Sequence, residues 1–293
     1  MYKLVTIDLD GTLFDNEKNI SEENLIAIKK CKELGVKIVI ATGRPIKGVY
    51  PVLEKLGLTS DSDYVITYNG AKVFNVKTKE LILSSTITGK EVKDIYYESQ
   101  RIGTYFHAFR KNEELITPKK NPYTEVETNI NHVPNYLFEF ENIKDNDEFL
   151  KAMMVDSDEN ITSAMTKVDK KFTQKYTMVR SAKIFLEFLN KNTDKGKALV
   201  ALANYLNIYI KDTIAIGDAG NDIPMIERAG LGIAMENSFI EVKRKANFIT
   251  KTNLESGVAY ALNKFIIDEN EKVWQSKSHT FFIILKLILI PLR

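Results

Sequence analysis

The chain has 293 residues, 44% of them hydrophobic, which is enough for one large core or two moderate ones. Lysine and arginine total 41 against 39 acidic residues, a formal charge of +2, so there is no broad basic field for gripping nucleic acid. The lone Cys31 has no disulfide partner, and the opening MYKLVTIDLD lacks the layout of a signal peptide, so cytoplasmic residence is the expectation.

Leu4, Val5 and Ile7 predict a first strand that runs into Asp8-Leu9-Asp10-Gly11-Thr12-Leu13. Two carboxylates two residues apart at a strand tip share a face. Such a pair can hold a hard cation, attack an electrophile or divide acid and base work. Ser21 caps a helix with Glu22 and Glu23 in its first turn, Leu25, Ile28, Cys31 and Leu34 at helical spacing, and Gly35 as its stop. Residues 36–40 are an apolar, β-branched run interrupted only by Lys37, the pattern of a strand buried on both faces, and lead into Ala41-Thr42-Gly43-Arg44. A helix through Leu53 and Leu56, a strand at 64–68, an Asn69-Gly70 hairpin turn and a strand at 71–74 follow.

Residues 84–187 break this rhythm. Helical patterns at 91–101 and 147–154 are interleaved with strand-like runs at 104–109, 136–140, 173–179 and 183–188, predicting an α+β insertion. At the strand ends it would lie over the Asp8 loop as a lid that selects substrate. Tyr105, His107, Arg110, Lys111 and Tyr123 are candidates to face a ligand, although packing is the commoner role for any one of them. Gly89 and residues 187–191 are candidate hinges.

The alternation then resumes: helix 196–206, strand 213–216, the polar loop Gly217-Asp218-Ala219-Gly220-Asn221-Asp222, helix 223–228 and strand 231–234. A capping box at Ser238 and Glu241, a strand at 248–250 and a helix at 256–265 complete it. This order predicts an α/β fold, a Rossmann-like doubly wound parallel sheet with an inserted cap. The core is expected at 1–83 and 188–270, the cap at 84–187 and a C-terminal extension at 271–293. Within the extension, 281–290 reads FFIILKLILI, too short for a membrane span, which needs about 20 apolar residues. A dispensable or non-native extension ranks above a membrane anchor.

Polar groups collect at four strand ends or helix starts: Asp8 with Asp10, Thr42, Lys195, and Asp218 with Asn221 and Asp222. Each has an ordinary reading alone, as a turn, a strand-favouring threonine, a solvated lysine or an acidic loop tip. Together they fit hydrolysis of a phosphate monoester, which demands positive charge, a nucleophile and a proton. Carboxylates from Asp8, Asp218 and Asp222, with water and a backbone carbonyl, make an oxygen cage for Mg²⁺. Asp8 would attack phosphorus, and Asp10 would protonate the leaving oxygen and later activate water. Thr42 would hydrogen-bond the phosphoryl group, Lys195 would hold Asp8 and phosphate together, and Gly11 and Thr12 would keep the loop tight around the anion.

The DLDGTL, ATGR, KG and GDAGND segments resemble the four motifs of the haloacid dehalogenase superfamily. The NGA hairpin at Asn69 and the late insertion narrow the resemblance, over residues 2–267, to Cof-type phosphatases with a large α/β cap. It implies a Mg²⁺-dependent phosphohydrolase with Asp8 as nucleophile, Asp10 as acid/base, and Asp8, Asp218 and the Asp10 carbonyl on the metal. Asp222 would support the metal shell, while Asn221, Thr42 and Lys195 contact phosphate or its neighbours. Gly43, Arg44 and Asn69 are further substrate-side candidates. The expected partner is a small phosphorylated metabolite, a sugar phosphate or a cofactor such as flavin mononucleotide or pyridoxal phosphate, with no nucleic acid and no membrane span. No pattern indicates an oligomeric state. A phosphosugar mutase and a catalytically silent phospho-ligand binder are the alternatives. One departure is Ser256, in TKTNLESGVA, where such chains usually carry Asp, which puts the hydrogen bonds of that loop in question.

Overall fold

The computed structural model describes residues 1–272; the remainder of the expected extension, with its apolar 281–290 run, lies outside the described residues. The larger sheet has eight strands in the order Phe248–Ile249, Leu231–Ala234, Thr213–Gly217, Leu4–Ile7, Lys37–Ala41, Tyr64–Thr67, Lys72–Asn75 and Leu81–Ser84. The strands are parallel as far as Tyr64–Thr67, and the last two are antiparallel. Successive side chains alternate between two apolar layers. Val5, Ile7, Ile38 and Ile40 pack with Ile28 and Cys31 of helix Glu22–Glu33 and with Val258 and Leu262 beyond it. Leu4, Val39 and Ala41 pack on the other face with Leu199 and Leu202 of helix Lys195–Tyr205. Burial pushes the Cys31 thiol up to about 12, so it is inert filling. Ser21 caps its helix as expected, accepting from the Asn24 N–H.

Strand order runs outward in both directions from Leu4–Ile7. Its carboxyl end, beside that of Thr213–Gly217, is the switch point where doubly wound sheets open a crevice for ligands. Asp8 and Asp218 follow those two strands directly.

The inserted sheet runs Tyr176–Ala182, Phe185–Asn190, Glu148–Val155, Tyr105–Arg110, Leu115–Thr117 and Asn135–Leu137, with Ile87–Thr88 also paired to Glu148–Val155. Helices Gly89–Ile102 and Asp158–Lys167 cover one face. On the other, Phe109, Leu115, Met153 and Phe185 pack against Tyr68 and Ala71 of the core. Because Phe185–Asn190 belongs to this sheet, the insertion extends past residue 187.

Several expected elements differ. The helix expected at 147–154 is instead strand Glu148–Val155, because Phe149, Leu150 and Ala152 to Val155 are all buried between neighbouring strands, and an apolar run buried all round has no periodicity to separate the two. The run at 173–179 begins as helix Lys170–Lys175, capped by Asp169, and becomes a strand only at Tyr176. The strand expected at 136–140 is Asn135–Leu137, and Phe140–Asn142 is a 3₁₀ turn. Ser238 and Glu241 make no capping box; helix Ile240–Lys243 starts after Phe239 with no side-chain cap. Helix Gly257–Leu262 continues as a π-helical turn, Asn263–Ile267. No helix among the described residues is long and apolar enough to cross a membrane.

Candidate active site

Asp8 ends the first strand, its N–H donating to the Ile216 carbonyl at 3.0 Å, which ties the two strand tips together. Its carboxylate is buried, and Oδ1 accepts from Lys195 Nζ at 2.5 Å. The same ammonium donates to Asp222 Oδ1 at 2.7 Å. Asp222 Oδ2 accepts the N–H groups of Asp218 and Ala219, both at 3.0 Å, and so folds the GDAGND loop back on itself. Thr12 Oγ1 donates to Asp218 Oδ1 at 2.7 Å. Between these groups Gly11 has φ +87°, and a Cβ there would overlap the Asp218 carboxylate. The turn and the close approach both require glycine.

Carboxylate oxygens of Asp8, Asp218 and Asp222 lie within 4.8 Å of one another, with one ammonium among them. Burial, then the Asp222 charge, push Asp8 well above the usual carboxylate range against the opposing pull of Lys195. Burial and Asp222 likewise push Asp218 up to about 6. Burial disfavours the Lys195 ammonium, but Asp222 and Asp8 outweigh it and hold the charge. Among the described residues, Oδ2 of Asp8 and Oδ2 of Asp218 accept no hydrogen bond, whereas both Asp222 oxygens are taken. Excess negative charge with free hard oxygens fits a divalent cation.

Asp10 lies at the rim. Arg44 grips it with two hydrogen bonds, Nε to Oδ2 at 2.8 Å and Nη2 to Oδ1 at 2.6 Å, and Lys18 Nζ adds a third at 2.6 Å. Burial pushes its pKa up, but these bonds and charges win and hold it below the usual range. The Thr42 hydroxyl accepts the Arg44 N–H at 3.2 Å, and the Thr42 carbonyl accepts the Asn69 N–H at 3.0 Å. Asn69 Oδ1 accepts from Asn221 Nδ2 at 3.0 Å. Every residue singled out from the sequence as catalytic, phosphate-side or metal-side therefore lies on these adjoining loops or, for Lys195, at the start of the helix beside them.

A cavity of about 620 Å³ opens above them, walled by Asp8, Asp10 and Thr42 below and by Glu127, Lys151, Ser181 and Glu187 of the cap above. The sequence reading missed those four cap residues. A signal existed for two of them: Lys151 in FLKAMMV and Glu187 in IFLEFL are lone charges inside apolar runs. None of the five cap candidates lines the cavity. His107 is wholly buried, with Nδ1 2.9 Å from Thr124 Oγ1, and burial followed by the Lys151 charge pushes its pKa down to about 3. Arg110 lies over the Phe138 ring, Lys111 pairs with Glu148 at 2.6 Å, and the rings of Tyr105 and Tyr123 pack together. Ser256 leaves its loop satisfied: its Oγ is 2.8 Å from Ser21 Oγ and donates to Glu23 Oε2 at 3.2 Å.

Acid-, threonine- and lysine-bearing loops at the carboxyl edge of a doubly wound sheet, roofed by an inserted α+β cap, define a hydrolase of the haloacid dehalogenase type. The chain belongs to that family: the model for haloacid dehalogenase-like hydrolases matches residues 5–262. It is a phosphatase of the Cof-type, large-cap branch. The Bacillus subtilis protein YxeH is 39% identical over 91% of this chain and 99% of its own. The Bacillus subtilis 5-amino-6-(5-phospho-D-ribitylamino)uracil phosphatase YwtE is 30% identical over 90% of this chain and 98% of its own. Among solved structures, a HAD subclass IIB sugar phosphatase matches with TM-score 0.76 and 26% identity, covering 90% of this chain and 98% of its own. Hydrolases of this family generally use a divalent metal, for which the aspartate cluster is suited.

Proposed function

We propose that the enzyme hydrolyses small phosphate monoesters through a phosphorylated Asp8, with Mg²⁺ as its cation. The state of Asp8 carries this reading: a buried carboxylate at the switch point, one oxygen anchored by Lys195 and the other without a hydrogen bond, in the cavity wall. Asp8 Oδ2 attacks phosphorus, and the ester oxygen departs with a proton from Asp10. A water then gives a proton to Asp10 and attacks the same phosphorus, which releases orthophosphate and restores Asp8. Asp8, Asp218 and the Asp10 carbonyl would hold Mg²⁺, with Asp222 orienting the loop; when bound, the cation offsets charge on the attacking carboxylate and the phosphoryl oxygens.

Asp10 cannot give up a proton while Arg44 grips it as a carboxylate. An arriving phosphoryl dianion offers the guanidinium a stronger partner, and release of Arg44 raises the proton affinity of Asp10 at the moment the leaving group needs a proton. Thr42 and Asn221 supply hydrogen bonds on the phosphate side. The polar cap wall of Glu127, Lys151, Ser181 and Glu187 suits a hydroxylated leaving group, in keeping with a relative named for a phosphoribitylamino-uracil and a structural neighbour named for sugar phosphates. A sugar phosphate or a phosphorylated cofactor intermediate is therefore the substrate class.

Phosphate release from p-nitrophenyl phosphate and a panel of sugar phosphates, with and without Mg²⁺, tests this. Cation-dependent release that disappears in Asp8→Asn is expected. Equal release from Asp8→Asn, or none from folded wild-type protein, would sink it.

A further inference from the structure

Beyond its place in the cavity wall, the buried ion cluster of the cap takes part in none of the chemical steps above. Met153 lies opposite Glu187 on paired antiparallel strands, so Lys151, two residues before Met153, is a diagonal neighbour of Glu187 on the same face. Both are 1% exposed, and Lys151 Nζ donates to Glu187 Oε1 at 3.0 Å. Glu127 lies 3.7 Å from the same ammonium, and Ser181 Oγ donates to Glu187 Oε1 at 2.6 Å. Burying charge is costly unless the remaining lone pairs and protons also find partners. Here those partners belong to the core: Asn69 Nδ2 donates to Glu187 Oε2 at 2.9 Å, and Lys151 Nζ donates to the Gly43 carbonyl at 3.3 Å.

Asn69 is where the active-site loops converge. Its N–H donates to Thr42, that of Tyr68 donates to the Arg44 carbonyl at 3.2 Å, and its side-chain oxygen holds Asn221. Next to it Gly70, at φ +96°, packs so closely on the Asp194 carbonyl that a Cβ would overlap it, one residue before Lys195. A single turn thus touches the Thr42, Lys195 and GDAGND segments. Asn69 itself is left-handed, at φ 55°, and its side-chain amide spans from cap carboxylate to core amide.

We propose that Glu187 is a positioning residue of the phosphate site: held by Lys151, it fixes the Asn69 side chain and, through it, Asn221. Seating of the cap then orders the phosphate-side loops in the same step. This rests on the phosphatase reading, and it gives the cap a role even for substrates whose leaving group makes no cap contact.

The test is a double-mutant cycle of Glu187→Ala and Asn69→Ala, read as kcat and KM for p-nitrophenyl phosphate and as orthophosphate affinity by calorimetry in Mg²⁺. Each single variant should lose about tenfold in kcat and in orthophosphate affinity, and the double variant should be within about twofold of the worse single, as for residues acting as one unit. Multiplying losses, or orthophosphate affinity unchanged in Glu187→Ala, would overturn the proposal. The paired variant Lys151→Met with Glu187→Met removes both charges and guards against misfolding of the single variant. It should fold and still lose orthophosphate affinity; a folded paired variant with wild-type affinity overturns the proposal. If wild-type protein binds orthophosphate but hydrolyses no ester, the phosphatase reading fails, while the affinity arm still reads the link from Glu187 to Asn69.

Discussion

In the core, Lys195 stands alone among Asp8, Asp218 and Asp222; in the cap, Lys151 stands between Glu127 and Glu187 and borrows further partners from the core. Among the described residues the core cluster keeps two carboxylate oxygens without donors, its Asp8 and Asp218 carboxyls are pushed up, and the negative charge that Lys195 leaves over suits a cation from solution. In the cap one ammonium faces two glutamates: Glu187 has donors on both oxygens, Asn69 among them, while burial pushes the Glu127 carboxyl above its usual range. Lys195 and Lys151 are equally buried, so depth alone does not mark chemistry. What distinguishes the core is the larger excess of one sign, three acids around one ammonium against two in the cap.

That contrast can be broken most forcefully at Lys195. Lys195→Met removes the one cation that, among the described residues, pairs with Asp8 and Asp222, and should lower stability by about 3–5 kcal/mol and turnover by about 10²-fold or more. Denaturant unfolding with and without a divalent cation checks it, and the cation should recover part of the stability. An unchanged denaturation midpoint would show that the core cluster is not the strained one.

Asp10→Asn should lower turnover by about 10²–10⁴-fold while divalent-cation affinity stays within about threefold. Asp10 spends its carboxylate on Arg44 and Lys18, outside the cation cluster, so a titration in which cation affinity collapses would merge the two acids that the structure separates.

Acid should separate the two regions more gently. The depressed pKa of His107 means that the unfolded chain binds a proton below about 6.5 that the folded cap refuses until about 3. Stability from the neutral imidazole is therefore present above 6.5 and lost as pH falls, by about 3 kcal/mol at pH 4.5. The raised pKa of Asp218 has the opposite sign, and makes the cation-free core lose stability as pH rises through about 4 to 6. Hydrogen exchange of cation-free protein at pH 4.5 should show the cap opening first. Equal protection in both sheets, or no relief of the acid loss in His107→Gln, would contradict this.

The core was readable residue by residue because its parallel strands are short apolar runs, each ending in the polar group it presents; Val5, Ile7 and Asp8 make a complete statement within one strand. The inserted region resisted the same reading. The segment around Lys151 carries Lys, Ala and Met, good helix formers, yet becomes a central strand because its neighbours bury it on both sides. His107, one of the candidates to face a ligand, is packing, while Glu187, read from sequence only within a strand-like run and a candidate hinge, lines the cavity.

Local sequence determined the identity of the chemical groups and the order in which the chain delivers them to one sheet edge, because a strand, its tip and the following turn are governed by near neighbours. Which charges meet was left to tertiary structure. Asn69 and Glu187 are 118 positions apart, and their hydrogen bond exists only because the inserted sheet turns that face toward the core and docks there. No local pattern encodes such a meeting, since it depends on strand register and domain packing together.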